Sequence, residues 1–273
     1  MIIFPNAKIN LGLNIVSKRP DGYHNLETIF YPIGIKDALE ITLADTCKDT
    51  FIQSGIKIDI EPHNNLVIKA LNLIRKNYNI PALNIHLLKN IPFGAGIGGG
   101  SADAAFMLKL LNDTFSLSID GDEMVRLAVK LGADCPFFIY NTPMFATGIG
   151  EQLEEINLSL DKYYLALIKP EIHIPTKDAF ANVIPQYPEI SLKEVATRPL
   201  SDWKNLMYND FEKSIFPKYP EIRRIKEQLY ESGAVYASMS GSGSSVYGIF
   251  NERTDLTGVF PDCFVWEEKE KSL

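Results

Sequence analysis

The chain has 273 residues, long enough for one large or two modest domains, and its 46% hydrophobic and 22% charged content is that of a soluble globular protein rather than a disordered one. A formal net charge of −7 argues against broad attraction to nucleic acid or an anionic membrane, so an anionic ligand must be held by locally placed Lys, Arg and backbone N–H groups. Cys47, Cys135 and Cys263 lack C-x-x-C or Cys/His metal spacing, and no apolar run approaches the ~20 residues of a membrane helix, so a cytoplasmic protein without a membrane partner is expected.

From residue 8 to 15 the chain alternates, with Ile9, Leu11, Leu13 and Ile15 on one face and Lys8, Asn10, Gly12 and Asn14 on the other. A strand of this kind buries the aliphatic row and aims the polar row outward, so Lys8 and Asn10 share a face. Next, Pro20 and Asp21-Gly22 signal a tight turn that presents Tyr23 and His24, an aromatic and an imidazole suited to stacking on and hydrogen-bonding a base. A packed turn would leave the same signature. Residues 38–44 alternate as a strand, 65–78 carry Leu66, Ala70, Leu71 and Ile74 at helical spacing, and 83–88 read as a strand in which His86 is packed.

The chain is organised around Pro92, Phe93, Gly94, Ala95, Gly96, Ile97, Gly98, Gly99, Gly100, Ser101 and Ala102. So many glycines free the backbone for positive φ and for close approach to a ligand. Ala104, Met107, Leu108 and Leu111 then follow at helical spacing, with Ser101 as the expected N-cap, so a helix amino end should aim N–H groups at whatever the loop encloses. Gly94, Gly96 and Gly99 satisfy G-x-G-x-x-G, but Pro92 and the position late in the chain do not suit a dinucleotide fingerprint. The P-loop pattern is met except at its lysine, where Gly100 stands, so the cation must come from elsewhere.

Asp120 and Glu123 form a capping-box pattern before a helix that Gly132 terminates. Asp134 follows in an Ala-Asp-Cys-Pro-Phe run, where a carboxylate is partly desolvated and needs a cationic partner; Lys8 could supply it. The alternative is that Asp134 only caps the next element. A polar segment, 153–162, precedes a strand at 163–168, and a boundary is placed there, giving domains 1–155 and 156–273. In the second, Ile174-Pro-Thr176 should cap a helix carrying Phe180, a helix starts at Pro220 and ends at Gly233, Ser240-Gly-Ser-Gly243 makes a second glycine-rich turn, and Glu267 to Lys271 forms a solvated end. The irregular order of strands and helices gives an α+β class.

Lys8-Ile-Asn-Leu, Asp21-Gly-Tyr-His24, the glycine loop, Gly132-Ala-Asp-Cys-Pro136, Ile174-Pro-Thr176 and Ser240-Gly-Ser-Gly243 resemble the motifs of the GHMP kinase superfamily, and of its branch that acts on a cytidyl small molecule. The resemblance implies a ribosomal-protein-like amino domain and a ferredoxin-like carboxyl domain, with ATP in the loop from Pro92 to Ala102. It implies Lys8 and Asp134 as the catalytic pair, Tyr23 and Phe180 as a sandwich for cytosine, His24 on the base edge, and Asn10 and Thr176 as further substrate contacts. Mg²⁺ is implied with ATP, although no ligand for it is identified. Ala102 departs from relatives that carry a second serine there, removing one hydroxyl contact to phosphate. Other kinases of the superfamily, a non-catalytic nucleotide-binding regulator and an RNA-binding module are the competing readings.

Overall fold

The computed structural model describes residues 1–57 and 61–268. Its elements begin with β1 Ile2–Ile3, β2 Asn6–Lys18, β3 His24–Lys36, β4 Ala38–Leu43, β5 Thr50–Gly55, α1 Leu66–Ile74, β6 Leu83–Lys89, α2 Gly99–Phe115, α3 Gly121–Val129, α4 Cys135–Tyr140, β7 Met144–Thr147 and β8 Gln152–Glu155. They continue with β9 Tyr164–Pro170, α5 Thr176–Phe180, α6 Leu192–Val195, α7 Leu200–Leu206, α8 Glu212–Lys218, α9 Pro220–Glu231, β10 Tyr236–Met239, β11 Val246–Phe250 and β12 Cys263–Glu267. Helices and largely antiparallel sheets are mixed, the α+β class that the sequence predicts.

Two compact units are interleaved along the chain. One comprises Met1–Lys8, Pro32–Phe93 and Gly98–Thr142, the other Ile9–Tyr31, Gly94–Ile97 and Pro143–Leu273. The first unit contains a sheet ordered β1-β4-β6-β5, with β5 parallel to β6 and the other pairs antiparallel. Alternation in β6 turns Leu83, Ile85 and Leu87 inward, where they meet Val67, Leu71 and Ile74 of α1, Met107, Leu108 and Leu111 of α2, and Leu127 of α3. Each such side chain, fully buried, contributes about 1.5–3 kcal/mol of hydrophobic stabilisation before conformational entropy is subtracted. The same alternation carries the next inward position to Lys89, which is also buried. His86 faces the other way: it is exposed and 2.8 Å from Ser54 Oγ, so its expected packing is not observed.

The second unit has an antiparallel sheet ordered β10-β11-β9-β12, against which α9 lays Ile222, Ile225 and Leu229 at spacings of three and four. Gly233, at φ +98°, ends that helix. A third sheet runs β2-β3-β7-β8 and contains the two longest strands.

Several local expectations are corrected. Gly98, in the left-handed region at φ 73°, is the N-cap of α2, not Ser101, which lies inside the helix. The Ile174-Pro-Thr176 stretch does start α5, with Pro175 as the cap and Thr176 as the first helical residue. The row of β2 expected to face solvent does not: Lys8 and Asn10 are both buried. The polar segment 153–162 contains part of β8, and Glu267 closes β12 with Oε1 accepting from Leu256 N at 2.8 Å instead of starting a solvated end, whose residues 269–271 lie outside the described residues. Asp120 does cap α3, accepting from Glu123 N at 2.8 Å, but Glu123 turns to Arg126 and does not complete the reciprocal box.

Candidate active site

In the second unit, residues 94–97 of the glycine loop are clamped by the turn at 240–245. Ser240 Oγ donates to Gly96 O at 2.8 Å and accepts from Asn10 N at 3.2 Å, and Ser245 N donates to Ala95 O at 3.2 Å. A Cβ on Gly96, whose φ is +72°, would stand 2.2 Å from Ser240 O, so any other residue there must push the two segments apart. Two glycine-rich segments far apart in sequence therefore form one backbone surface.

In the first unit the loop turns into α2. The first helical bond is Ala102 N to Gly98 O at 2.8 Å, so the N–H groups of Gly99, Gly100 and Ser101 have no partner within the helix and form its positive end. A Cβ on Gly98 would meet Phe138 Cζ at 2.8 Å and Lys8 Cε at 3.3 Å. Lys8 thus places a cation beside the start of α2, where the loop itself carries Gly100 in place of a lysine.

Lys8 Nζ lies 3.4 Å from Asp134 Oδ2, with the lysine side chain 4% exposed and the aspartate 36% exposed. Burial pushes the Lys8 ammonium below its ordinary range, while Asp134 pulls it back up. Asp134 occupies the N-cap position of α4, as the alternative reading expects, but its side chain makes no capping hydrogen bond, and Pro136 restricts the first turn. One partner is locked inside the protein and the other opens to solvent.

The remaining candidate residues belong to the second unit. Asn10 Nδ2 donates to Thr28 Oγ1 at 3.0 Å, and Thr28 in turn donates to Gly12 O at 2.5 Å. Tyr247, fully buried, donates from its hydroxyl to Asn10 O at 2.9 Å. The turn before β3 forms as predicted, with Tyr23 N donating to Asp21 Oδ1 at 3.1 Å, and it leaves Tyr23 62% exposed. His24 stacks on Phe180 with ring centroids 4.9 Å apart at 22°, and Phe180 meets Phe211 edge-on at 4.7 Å. His24 and Phe180 therefore come together as an aromatic wall. Thr176 opens the short helix that ends in Phe180.

The sequence reading passed over Thr28, Tyr247 and the buried set of Asp37, Lys89 and Asp103. Lys89 was detectable as the fourth inward position of an alternating strand, and Asp103 as an acid among Ala102, Ala104 and Ala105. Among the described residues no group of three or more His, Cys, Asp or Glu side chains is arranged to hold a metal ion.

Residues 65–142 match the family model described as GHMP kinases N terminal domain, and residues 191–259 the one described as GHMP kinases C terminal, which defines the class as a two-domain GHMP kinase. A 4-diphosphocytidyl-2-C-methyl-D-erythritol kinase of Parabacteroides distasonis is 61% identical over 98% of this chain and 98% of its own length, and one of Bacteroides fragilis is 57% identical over 99% and 100%. A crystal structure of 4-(cytidine 5'-diphospho)-2C-methyl-D-erythritol kinase superposes with a TM-score of 0.78 at 30% identity, covering 91% of this chain and 90% of that one. The Methanococcus jannaschii mevalonate kinase superposes at 0.72 with 16% identity over 98% of this chain and 97% of its own, a likeness of fold alone. The chain belongs to the 4-diphosphocytidyl-2-C-methyl-D-erythritol kinase family of GHMP kinases.

Proposed function

We propose that the chain transfers the γ-phosphoryl group of ATP to the 2-hydroxyl of 4-diphosphocytidyl-2-C-methyl-D-erythritol, giving the 2-phosphate and ADP, a cytoplasmic step of the methylerythritol phosphate route to isoprenoid precursors. The observation that carries the reaction type is the Lys8–Asp134 pair, 3.4 Å apart and placed beside the start of α2. Asp134, the exposed partner, accepts the hydroxyl proton as the oxygen attacks the γ-phosphorus and the bond to the β,γ-bridging oxygen breaks. Lys8 holds that carboxylate in place and offsets charge that develops on the transferred group. The backbone from Pro92 through Ala102 receives the phosphates, with the N–H groups of Gly99, Gly100 and Ser101, which have no partner within α2, as donors.

Asn10, fixed by Thr28 and Tyr247, and Thr176 orient the polyol. Tyr23, His24 and Phe180 take the cytosine; a base that stacks on Phe180 shares or displaces the face that His24 now covers. Mg²⁺ is proposed to enter with ATP, held mainly by phosphate oxygens as is usual for this ion, and to neutralise charge on the leaving ADP. No protein ligand is assigned to it.

The test is ADP release from ATP and Mg²⁺ by the purified protein with a panel of alcohols that includes the cytidyl substrate, mevalonate and homoserine. Strong stimulation by the cytidyl substrate alone is expected. Equal stimulation by another alcohol, or none by any, overturns the assignment.

A further inference from the structure

Directly under the first turn of α2 lies a charge cluster that the proposed chemistry does not use. Lys89, last residue of β6, pairs through Nζ with Asp37 Oδ2 and with Asp103 Oδ2, the latter at 2.7 Å. All three side chains are at least nine-tenths buried. Asp37 Oδ1 also accepts from Asn90 N at 2.6 Å and Ile91 N at 2.8 Å, so its charge meets donors at both oxygens. Asp103 does not share that arrangement: its Oδ1 is buried and meets no donor among the described residues. A Cβ on Gly99 would lie 3.6 Å from Lys89 Nζ, which puts the cluster against the backbone whose N–H groups form the helix's positive end.

One ammonium against two carboxylates leaves a negative charge uncompensated in a desolvated place, an arrangement that costs several kcal/mol unless a proton is retained. Of the two acids, Asp103 is the one with an oxygen that no donor satisfies. We propose that Asp103 is a positioning residue for nucleotide binding whose proton keeps the Asp37–Lys89–Asp103 cluster neutral beneath Gly99, and that losing this proton as pH rises weakens binding of nucleotide phosphates at the first turn of α2. The proposal rests on the reading that those phosphates bind the glycine loop.

The titration falls in an accessible range. Burial pushes the Asp103 carboxyl up to about 7, with Asp37 adding to the rise and Lys89 opposing it; these are the charged groups that face it, from the segment before β4 and from β6. Above that pH an extra negative charge stands within the electrostatic reach of the bound phosphates. By linkage, bound nucleotide must hold the proton on Asp103 more tightly.

The experiment measures equilibrium binding of ADP from pH 5.5 to 9 for the wild type, Asp103→Asn and Gly98→Val. Asn is isosteric with the protonated acid and can still accept from Lys89, and taking the ratio of wild-type to Asp103→Asn dissociation constants cancels titration of the nucleotide itself. The ratio should be near one at pH 5.5 and rise roughly three- to tenfold through pH 7 to 9. A flat ratio overturns the proposal if Gly98→Val weakens binding; if Gly98→Val binds normally, the loop assignment is what has failed. Should Asp103→Asn not fold, carboxyl carbon resonances of the wild type decide: a midpoint near 7 that ADP raises supports the proposal, and an Asp103 midpoint in the ordinary carboxylate range sinks it.

Discussion

Ser240 Oγ donates to the carbonyl oxygen of Gly96 at 2.8 Å, and the Ser240 carbonyl oxygen sits where a Cβ of residue 96 would be, 2.2 Å away. The contact makes the 240–245 turn a backing for residues 94–97 of the glycine loop, and it depends on Gly96 adopting φ +72°. Gly96→Ala must therefore move one backbone segment away from the other and also strain the left-handed conformation, at a cost of about 1–2 kcal/mol for the latter alone. We expect a folded protein with a lowered unfolding midpoint and an ATP KM raised about tenfold or more. Ser240→Ala, which removes only the hydrogen bond, should cost less in both measurements. Wild-type KM for ATP in a folded Gly96→Ala protein would take this part of the loop out of the nucleotide site.

Tyr23 is mostly exposed although it follows a turn held by Asp21 and Arg19, so its ring is not needed to fill a core. Tyr23→Ala should leave the unfolding midpoint nearly unchanged. If the ring stacks on cytosine, a contact worth ~1–3 kcal/mol, the KM for the cytidyl substrate rises about tenfold while that for ATP stays put. Equal effects on both substrates would favour the packed turn. Phe180→Ala is a poorer test, because Phe180 also packs on Phe211 and its loss disturbs the fold.

What could be read from the sequence divides along physical lines. Strands and helices with one buried face, such as β6, α1 and α9, declare themselves by period, and glycine runs declare the loop and the 240–243 turn. That Asp134 needs a cation follows from its apolar run and leaves Lys8 as one candidate, the resemblance to GHMP kinases is what names the two as a pair, and the structure brings them within 3.4 Å. Long-range pairing is not local information. The alternation in β2 told that Lys8 and Asn10 share a face but not that this face is covered, and nothing around Ser101 signals that a left-handed glycine three residues earlier starts α2. The interleaving of the two units follows from where β2, β3 and the glycine loop pass from one to the other, which no composition shift marks.

The buried cluster also predicts how stability responds to pH. The unfolded chain releases the Asp103 proton in the ordinary carboxylate range, whereas the folded chain holds it to about 7. Between those values the unfolded state binds fewer protons, so this residue makes stability fall as pH rises from about 4 to about 7, with no further change above. Asp103→Asn should remove that part of the slope in unfolding midpoints recorded across pH 4–9, and at pH 8 it should be at least as stable as the wild type. Lys89→Met, by contrast, leaves two carboxylates without their cation and should cost about 3–5 kcal/mol, less when combined with Asp103→Asn. An Asp103→Asn profile parallel to the wild type would show that the carboxyl titrates normally.

The unequal exposure of Lys8 and Asp134 permits a clean test of the roles proposed for them. Asp134→Asn keeps the size of the side chain, and because that side chain makes no capping bond and is partly in solvent, the fold should tolerate the change. If the carboxylate takes the hydroxyl proton, kcat falls by ~10²–10⁴-fold while KM for both substrates changes little, since the interaction lost is confined to the transition state. The substitution also removes the charge that pulls the buried Lys8 ammonium upward, so the lysine of the variant should release its proton at lower pH than in the wild type. Lys8→Met should be slow as well. The double variant should be far less impaired than the two losses multiplied, because partners in one catalytic unit are not additive. If Asp134 served only to start α4, the outcome would be reversed: a lower unfolding midpoint with near-normal turnover per folded molecule. Measuring kcat and the unfolding midpoint on the same preparations distinguishes the two, and a stable Asp134→Asn protein with wild-type kcat would falsify the assignment of the base.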